Sequence, residues 1–317
     1  MEYRNLGRSG LRVSAVGLGC NNLSRPGTAS ESQEGSTALV HAALDAGVTF
    51  FDTADIYGAE FGRSEEMLGR ALGSHRDEVV IATKWGHSGY QGPVAAWQDK
   101  GSRRYLRLAV EDSLRRLGTE WIDLYQLHTP DPNTPIEETL QALDELVLAG
   151  KIRYAGSSNL AAWQVVEAEL TSRLGGITRF VSAQNEYSLL VRDAERELLP
   201  VARQYGIGFL PYFPLYNGIF TGKYSRDGGP QQSRIIRQKP GLLSTVPWDA
   251  YDRFEQFGAD RGLTVLEATM GWLLAVSGLA SVIAGATTPD QVRQNAATSG
   301  AWQPTAEELA LIGEIFP

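Results

Sequence analysis

The sequence predicts a single (β/α)8 barrel, an α/β fold of eight parallel strands wrapped in helices, over residues 1–317. Three observations lead there. Short β-branched runs alternate with amphipathic helical stretches along the whole chain, and eight strand candidates result. The glycine fingerprint that an open dinucleotide-binding sheet carries after its first strand is incomplete, because Gly17-Leu18-Gly19-Cys20-Asn21-Asn22 lacks the third glycine. No P-loop sequence occurs either.

The strand candidates are residues 13–18, 49–52, 79–83, 122–127, 152–156, 180–184, 207–211 and 281–285. Several are near-continuous apolar runs, as strands covered on both faces require. The helical stretches are 34–46, 64–72, 103–117, 135–149, 161–173, 194–205 and 265–276, and a last helix is expected to begin near Pro289. Their apolar residues recur at helical spacing, as in Leu106, Val110, Leu114 and Leu117. Glycine follows five of these stretches, at Gly47, Gly73, Gly118, Gly150 and Gly206, where a left-handed residue closes a helix. Residues 224–247, rich in Gly, Pro, Ser and Arg, are the one long irregular segment. They are expected to form a mobile loop over a site and not a domain boundary.

A length of 317 residues suits one barrel, for which about 250 residues or more is usual. The formal net charge of −8 argues against non-specific attraction to nucleic acid or an anionic membrane. An anionic cofactor would then need a local basic or amide-lined pocket. The single cysteine, Cys20, excludes an internal disulfide and suits a reducing, cytoplasmic setting; its expected place is a buried apolar one. The start Met1-Glu2-Tyr3-Arg4 suggests no leader, and the longest apolar stretch, 268–280, is too short to span a bilayer. The four histidines lack metal-ligand spacing, so no metal is expected, and a monomer is compatible with the composition.

The chemistry of a barrel sits at the C-terminal ends of its strands. Asp52 and Tyr57 follow the second strand, Lys84 the third and His128 the fourth. Reducing a carbonyl needs a hydride on carbon and a proton on oxygen. A free phenol, with a pKa near 10, is a weak acid at neutral pH, and an adjacent ammonium is expected to pull it toward the working range. Lys84 would do this, Asp52 would hold Lys84, and His128 would orient the carbonyl. Singly, Asp52 and Lys84 read as a structural ion pair and Tyr57 as a packed aromatic. Together at matching strand ends they read as a site. Asn21, Asn22, Trp85 and Trp97 are candidates for a substrate wall, although core packing accounts for them equally well. His87 is a candidate pocket residue, and Asp55 either lines the site or makes a loop hydrogen bond.

These residues stand in longer phrases: Gly47-Val48-Thr49-Phe50-Phe51-Asp52-Thr53-Ala54 with Tyr57-Gly58, Leu124-Tyr125-Gln126-Leu127-His128, and Gly150-Lys151-Ile152-Arg153-Tyr154-Ala155-Gly156-Ser157-Ser158-Asn159. Gln184-Asn185-Glu186-Tyr187, Tyr212-Phe213-Pro214-Leu215 and Thr221-Gly222-Lys223-Tyr224 follow in order. Over nearly its whole length the chain resembles the aldo-keto reductases, in particular bacterial reductases similar to potassium-channel β subunits. The resemblance implies that Asp52, Tyr57, Lys84 and His128 are a catalytic tetrad acting on a small carbonyl substrate. It implies NADP(H) as cofactor, with NAD(H) possible. Ser158, Asn159 and Gln184 would hold the nicotinamide carboxamide and Tyr212 would stack on the ring. Phe213, Pro214, Leu215, Gly218 and Lys223 would wrap the pyrophosphate, and Gly285, Thr287, Gln291 and Asn295 would meet the adenosine phosphate.

Two departures from the family pattern stand out. Many relatives place Lys or Arg where Gly285 and Gln291 stand, so the grip on a 2′-phosphate is weakened. Leu160 replaces a common aromatic. Two rival readings follow: an NAD-dependent sugar or alcohol dehydrogenase, and a cofactor-sensing subunit with slow turnover.

Overall fold

The computed structural model describes residues 1–90, 98–231 and 233–317. The chain opens with an antiparallel hairpin, β1 (Tyr3–Asn5) and β2 (Arg12–Ser14). Eight parallel strands follow: β3 (Val16–Gly19), β4 (Phe50–Asp52), β5 (Val80–Trp85), β6 (Ile122–Leu127), β7 (Ile152–Ser158), β8 (Phe180–Glu186), β9 (Gly208–Tyr212) and β10 (Val282–Gly285). Their order is β10-β3-β4-β5-β6-β7-β8-β9. The ring closes where Phe209 of β9 meets Leu279 just before β10; Phe209 donates to the Gly278 carbonyl at 2.9 Å and accepts from Ala280 at 3.0 Å. This is the expected (β/α)8 barrel.

The helices are α1 (Gln33–Asp45), α2 (Arg63–Leu72), α3 (Arg103–Leu117), α4 (Ile136–Leu148), α5 (Ala162–Gly175), α6 (Leu198–Tyr205), α7 (Arg234–Gln238), α8 (Trp248–Ala259), α9 (Val265–Leu274), α10 (Pro289–Ala297) and α11 (Ala306–Ile315). Among the described residues no helix is long and apolar enough to cross a membrane.

Strand alternation builds two cores and the site. Successive side chains point to opposite faces. On β4, β5, β6, β9 and β10, the residues Phe50, Ala82, Leu124, Leu210 and Ile283 turn into the barrel, where Leu6, Leu11 and Val13 of the hairpin region plug its lower end. Two residues further up, Asp52, Lys84 and Gln126 occupy the same inner face and form a polar layer above the plug. The alternate positions, such as Phe51, Ile81, Trp85, Tyr125 and Phe209, pack outward against the helices in a second, larger core. Close strand approach leaves no room for a side chain at Gly156, where a Cβ would stand 2.2 Å from Ser182 Oγ.

Three expectations need correction. The strand expected at 13–18 is two strands, because the Ser14 hydroxyl donates to the Val16 carbonyl at 2.8 Å and accepts from the amides of Thr49 and Phe50, turning the chain between hairpin and barrel. The irregular segment 224–247 contains α7 and a 3-10 turn at Pro240–Thr245. Helix α6 starts only at Leu198, after a separate turn at Asp193–Glu195. Two helices, α8 and α11, were not expected at all. They pack together through Phe220, Phe254 and Phe316, whose rings meet at 5.6 to 6.0 Å.

Candidate active site

Asp52 is the last residue of β4, and Lys84 stands one strand over on β5. Lys84 is fully buried and Asp52 is 2 % exposed. The ammonium donates to both carboxylate oxygens, at 2.8 and 2.7 Å, and to the Thr53 carbonyl at 3.0 Å. Asp52 Oδ1 also accepts from Gln184 Nε2 at 2.9 Å and Gln126 Nε2 at 3.3 Å. A buried charge persists only when paired and hydrogen-bonded, and this one meets both conditions. Burial disfavours the Lys84 ammonium, but Asp52, followed by Tyr57, outweighs it and the pKa is raised.

Above this pair sit Tyr57 and His128. The Lys84 ammonium is 5.1 Å from the centre of the Tyr57 ring. The rings of Tyr57 and His128 meet edge to face at 5.8 Å. Contrary to expectation, the Tyr57 pKa is raised: desolvation exceeds the opposing pull of Lys84. The phenol is therefore held in its protonated form. His128 is held neutral, its pKa pushed well below the ordinary value by burial, then by Lys84 and His87. Its Nδ1 is buried and has no partner among the described residues. His87 lies against it, ring centres 4.7 Å apart.

These groups form the floor of a cavity of about 720 Å³. Asp52, Tyr57 and His128 line it, as do Ser158, Asn159, Gln184, Tyr212, Phe213, Pro214, Leu215, Gly218, Lys223, Gly285, Thr287, Gln291, Asn295 and Asn21. Lys84 stands behind Asp52. Asn22 and His87 also reach the cavity. Trp85 does not: it is fully buried, stacks on Tyr125 at 4.5 Å and donates to the Lys100 carbonyl. Lys84 faces inward, so its neighbour on the strand must face the helices. Trp97 lies outside the described residues. Asp55 faces away from the cavity into a buried cluster near Glu65 and Arg116, with both oxygens unpartnered among the described residues. Desolvation, reinforced by Glu65, raises its pKa well above the carboxylate range.

The cavity wall is locally strained. Asn159, Phe213, Tyr216 and Asn217 all have positive φ, between 45° and 59°, a region few non-glycine residues visit and one that clusters at functional sites. Side chains tie the wall together: Asn159 Nδ2 donates to the His128 carbonyl at 2.9 Å, and the Tyr212 hydroxyl donates to Asn159 Oδ1 at 2.9 Å. Gln291 Oε1 accepts from the Thr287 amide at 2.9 Å. Arg293 turns outward to Asp290. Sequence reasoning missed Arg25, Arg234 and Arg237, which also line the cavity. The run Ser233-Arg234-Ile235-Ile236-Arg237 carried a helical signal for two of them; Arg25 sits in a loop without one.

The sequence model of the aldo/keto reductase family matches residues 15–316. The chain belongs to that family. Its members are oxidoreductases of carbonyl compounds. The chain is 33% identical to the L-glyceraldehyde 3-phosphate reductase of Escherichia coli, with 99% of this chain and 92% of that protein aligned. It is 35% identical to a probable voltage-gated potassium channel subunit beta of Oryza sativa subsp. japonica, over 93% of this chain and 90% of that protein. It is 33% identical to the uncharacterized oxidoreductase YrpG of Bacillus subtilis, over 100% of this chain and 96% of that protein.

A dinucleotide suits the donor set of this aldo/keto reductase cavity. Four cations, Arg25, Lys223, Arg234 and Arg237, line it against one carboxylate, Asp52, which Lys84 already neutralises. Ser233 Oγ and Arg234 Nε are buried without partners among the described residues, as groups awaiting an anionic ligand would be.

Proposed function

We propose that the protein reduces an aldehyde or ketone to the alcohol with a nicotinamide dinucleotide, and that Tyr57 gives the proton. The observation that carries this reading is the buried Asp52–Lys84 pair beneath Tyr57 and His128, on the floor of a cavity whose lining includes four cations. The reduced nicotinamide, when bound, supplies the hydride. Ser158, Asn159 and the free oxygen of Gln184 would hold its carboxamide, Tyr212 its ring face, residues 213–218 and Lys223 its pyrophosphate. Gly285, Thr287, Gln291 and Asn295 would meet its adenosine end.

The substrate oxygen is received by two donors, the Tyr57 hydroxyl and a neutral His128 N–H. A raised phenol pKa keeps the acid loaded at neutral pH. As the carbonyl oxygen gains charge it takes the Tyr57 proton, and the Lys84 ammonium stabilises the phenolate left behind. Asp52 keeps that ammonium charged and fixed. In alcohol oxidation the same groups run backward, with Tyr57 as base.

NADP(H) is the first assignment. NAD(H) is supported by the adenosine end, where none of Gly285, Thr287, Gln291 and Asn295 is a cation and Arg293 is engaged by Asp290. A cofactor-sensing subunit with slow turnover is the second reading, supported by the likeness to the rice channel subunit. The test is oxidation of NADPH and NADH by the purified protein with an activated aldehyde such as 4-nitrobenzaldehyde. Aldehyde-dependent turnover upholds the reductase reading, and the rate ratio assigns the cofactor. Tight nucleotide binding with no turnover would replace it with the sensing reading.

A further inference from the structure

Arg25 lines a second, smaller recess of about 380 Å³ that opens beside the main cavity. Tyr57, His87, Asn21, Ile56 and Gln238 share this recess, and of the cations that line the main cavity only Arg25 reaches it. It is therefore the side from which a substrate reaches the phenol.

Arg25, Arg234 and Arg237 gather at one mouth of the cavity. The chain carries an excess of carboxylates, with a net charge of −8. Several of its arginines pair with them: Arg116 with Glu65, Arg192 with Glu195, Arg226 with Asp249 and Asp252. No carboxylate lies within salt-bridge distance of Arg25, which lines both spaces, or of Arg237, which lines the main cavity, among the described residues. The Arg25 guanidinium donates to Asn21 Oδ1 at 2.5 Å. Arg237 lies over Gly27, where a Cβ would stand 2.8 Å from its Nη1. Glu31, the acid nearest in the loop, is taken up by the Gly27 amide at 2.7 Å. Burial, and then the neighbouring Arg234, lowers the Arg25 pKa to about 10. Like charges gathered without a counter-ion are costly unless a ligand supplies the opposite charge. With Lys223 and the unpartnered Arg234 given to the pyrophosphate, Arg25 and Arg237 are left without an assigned anion.

We infer that Arg25, supported by Arg237, binds an anionic group on the carbonyl substrate, so that the preferred substrates are aldehydes or ketones bearing a carboxylate or a phosphate. The guanidinium fork matches either oxyanion. With the anion held at the rim of the recess, the carbonyl end reaches Tyr57 and His128 at its floor. The inference rests on the carbonyl-reduction reading.

The test compares matched substrates that differ by the anion: 4-oxobutanoate against butanal for the carboxylate, and glyceraldehyde 3-phosphate against glyceraldehyde for the phosphate. Wild type should favour one acidic member by roughly 10–100-fold in kcat/KM, the range of a charge-assisted hydrogen-bonded pair. The arm with the larger ratio names the anion. Arg25→Gln should reduce that ratio to below about threefold, Arg25→Lys should keep part of it, and Arg237→Gln should lower it less. Equal rates within both pairs in wild type, or a ratio unmoved by Arg25→Gln, overturns the inference. So does a weaker NADPH affinity in Arg25→Gln with an unchanged substrate ratio, which would make Arg25 a cofactor residue. If no aldehyde is reduced, the reductase reading falls. Calorimetric binding of 4-hydroxybutanoate and glycerol 3-phosphate to the NADP-loaded protein then decides: binding lost in Arg25→Gln upholds the anion subsite, and no binding to wild type overturns it.

Discussion

Substituting Lys84 by Met isolates the energetics beneath the site. The change keeps an unbranched side chain of similar length in a fully buried position. It removes the donors at 2.8 and 2.7 Å from Asp52 and leaves that carboxylate with Gln184 at 2.9 Å and Gln126 at 3.3 Å. Breaking one partner of a buried pair costs about 3–5 kcal/mol, because the remaining charge is uncompensated. For a chain of 317 residues each kcal/mol lowers the melting midpoint by roughly 1.5 °C, so a drop of roughly 5–8 °C is expected. Urea and thermal denaturation of the cofactor-free protein, followed by circular dichroism, measure it. The double variant Asp52→Asn with Lys84→Met removes both charges and should recover at least about 2 kcal/mol of the loss. A single variant within about 1 kcal/mol of wild type, or a double variant no better than the single, would refute the argument that the pair is held by mutual neutralisation.

Two further perturbations follow from the same geometry. His128 is held neutral in the folded state and has an ordinary pKa near 6.5 when unfolded. Below that pH the unfolded chain binds the extra proton, so stability falls as the pH drops, by about 1.4 kcal/mol per unit for this group. Denaturation curves between pH 7 and pH 5 should show that slope, and His128→Asn should flatten it; an unchanged slope would contradict the assignment. Gly156→Ala drives a Cβ to 2.2 Å from Ser182 Oγ and 3.0 Å from Gln126 Cγ. Overpacking of this kind costs about 1–3 kcal/mol, visible as a lower urea midpoint, and a neutral effect would mean the inner barrel yields more than its packing suggests.

The barrel was legible because its signals are local and repeated: apolar runs of strand length, helical spacing and a glycine after five of the helical stretches. The polar strand ends were legible for the same reason, since Asp52, Lys84 and Gln184 fall at the one place a barrel keeps chemistry. Trp85 was misplaced although the sequence held the answer: a residue next to an inward lysine on one strand points outward. Helix α8 was missed because Trp248, Tyr251, Phe254 and Phe257 recur every third residue, directly after a Pro- and Ser-rich segment that masks the start. Helix α11 carried a readable start, the reciprocal cap between Thr305 and Glu308. Arg25 was not legible. Its significance comes from distant residues, Tyr57, Arg234 and Arg237, that only the folded chain gathers. The rise in the Tyr57 pKa was likewise hidden, since desolvation depends on how deeply the mouth of the barrel encloses the ring.

The most direct test of the account compares wild type with Tyr57→Phe, following nicotinamide oxidation with a generic aldehyde and cofactor binding by tryptophan fluorescence. Losing the phenol removes the proton donor and leaves the cation-lined cavity intact. The account predicts a rate loss of about 10²–10⁴-fold with cofactor affinity retained. Equal turnover in the two proteins would contradict it, because the proton would then come from another source.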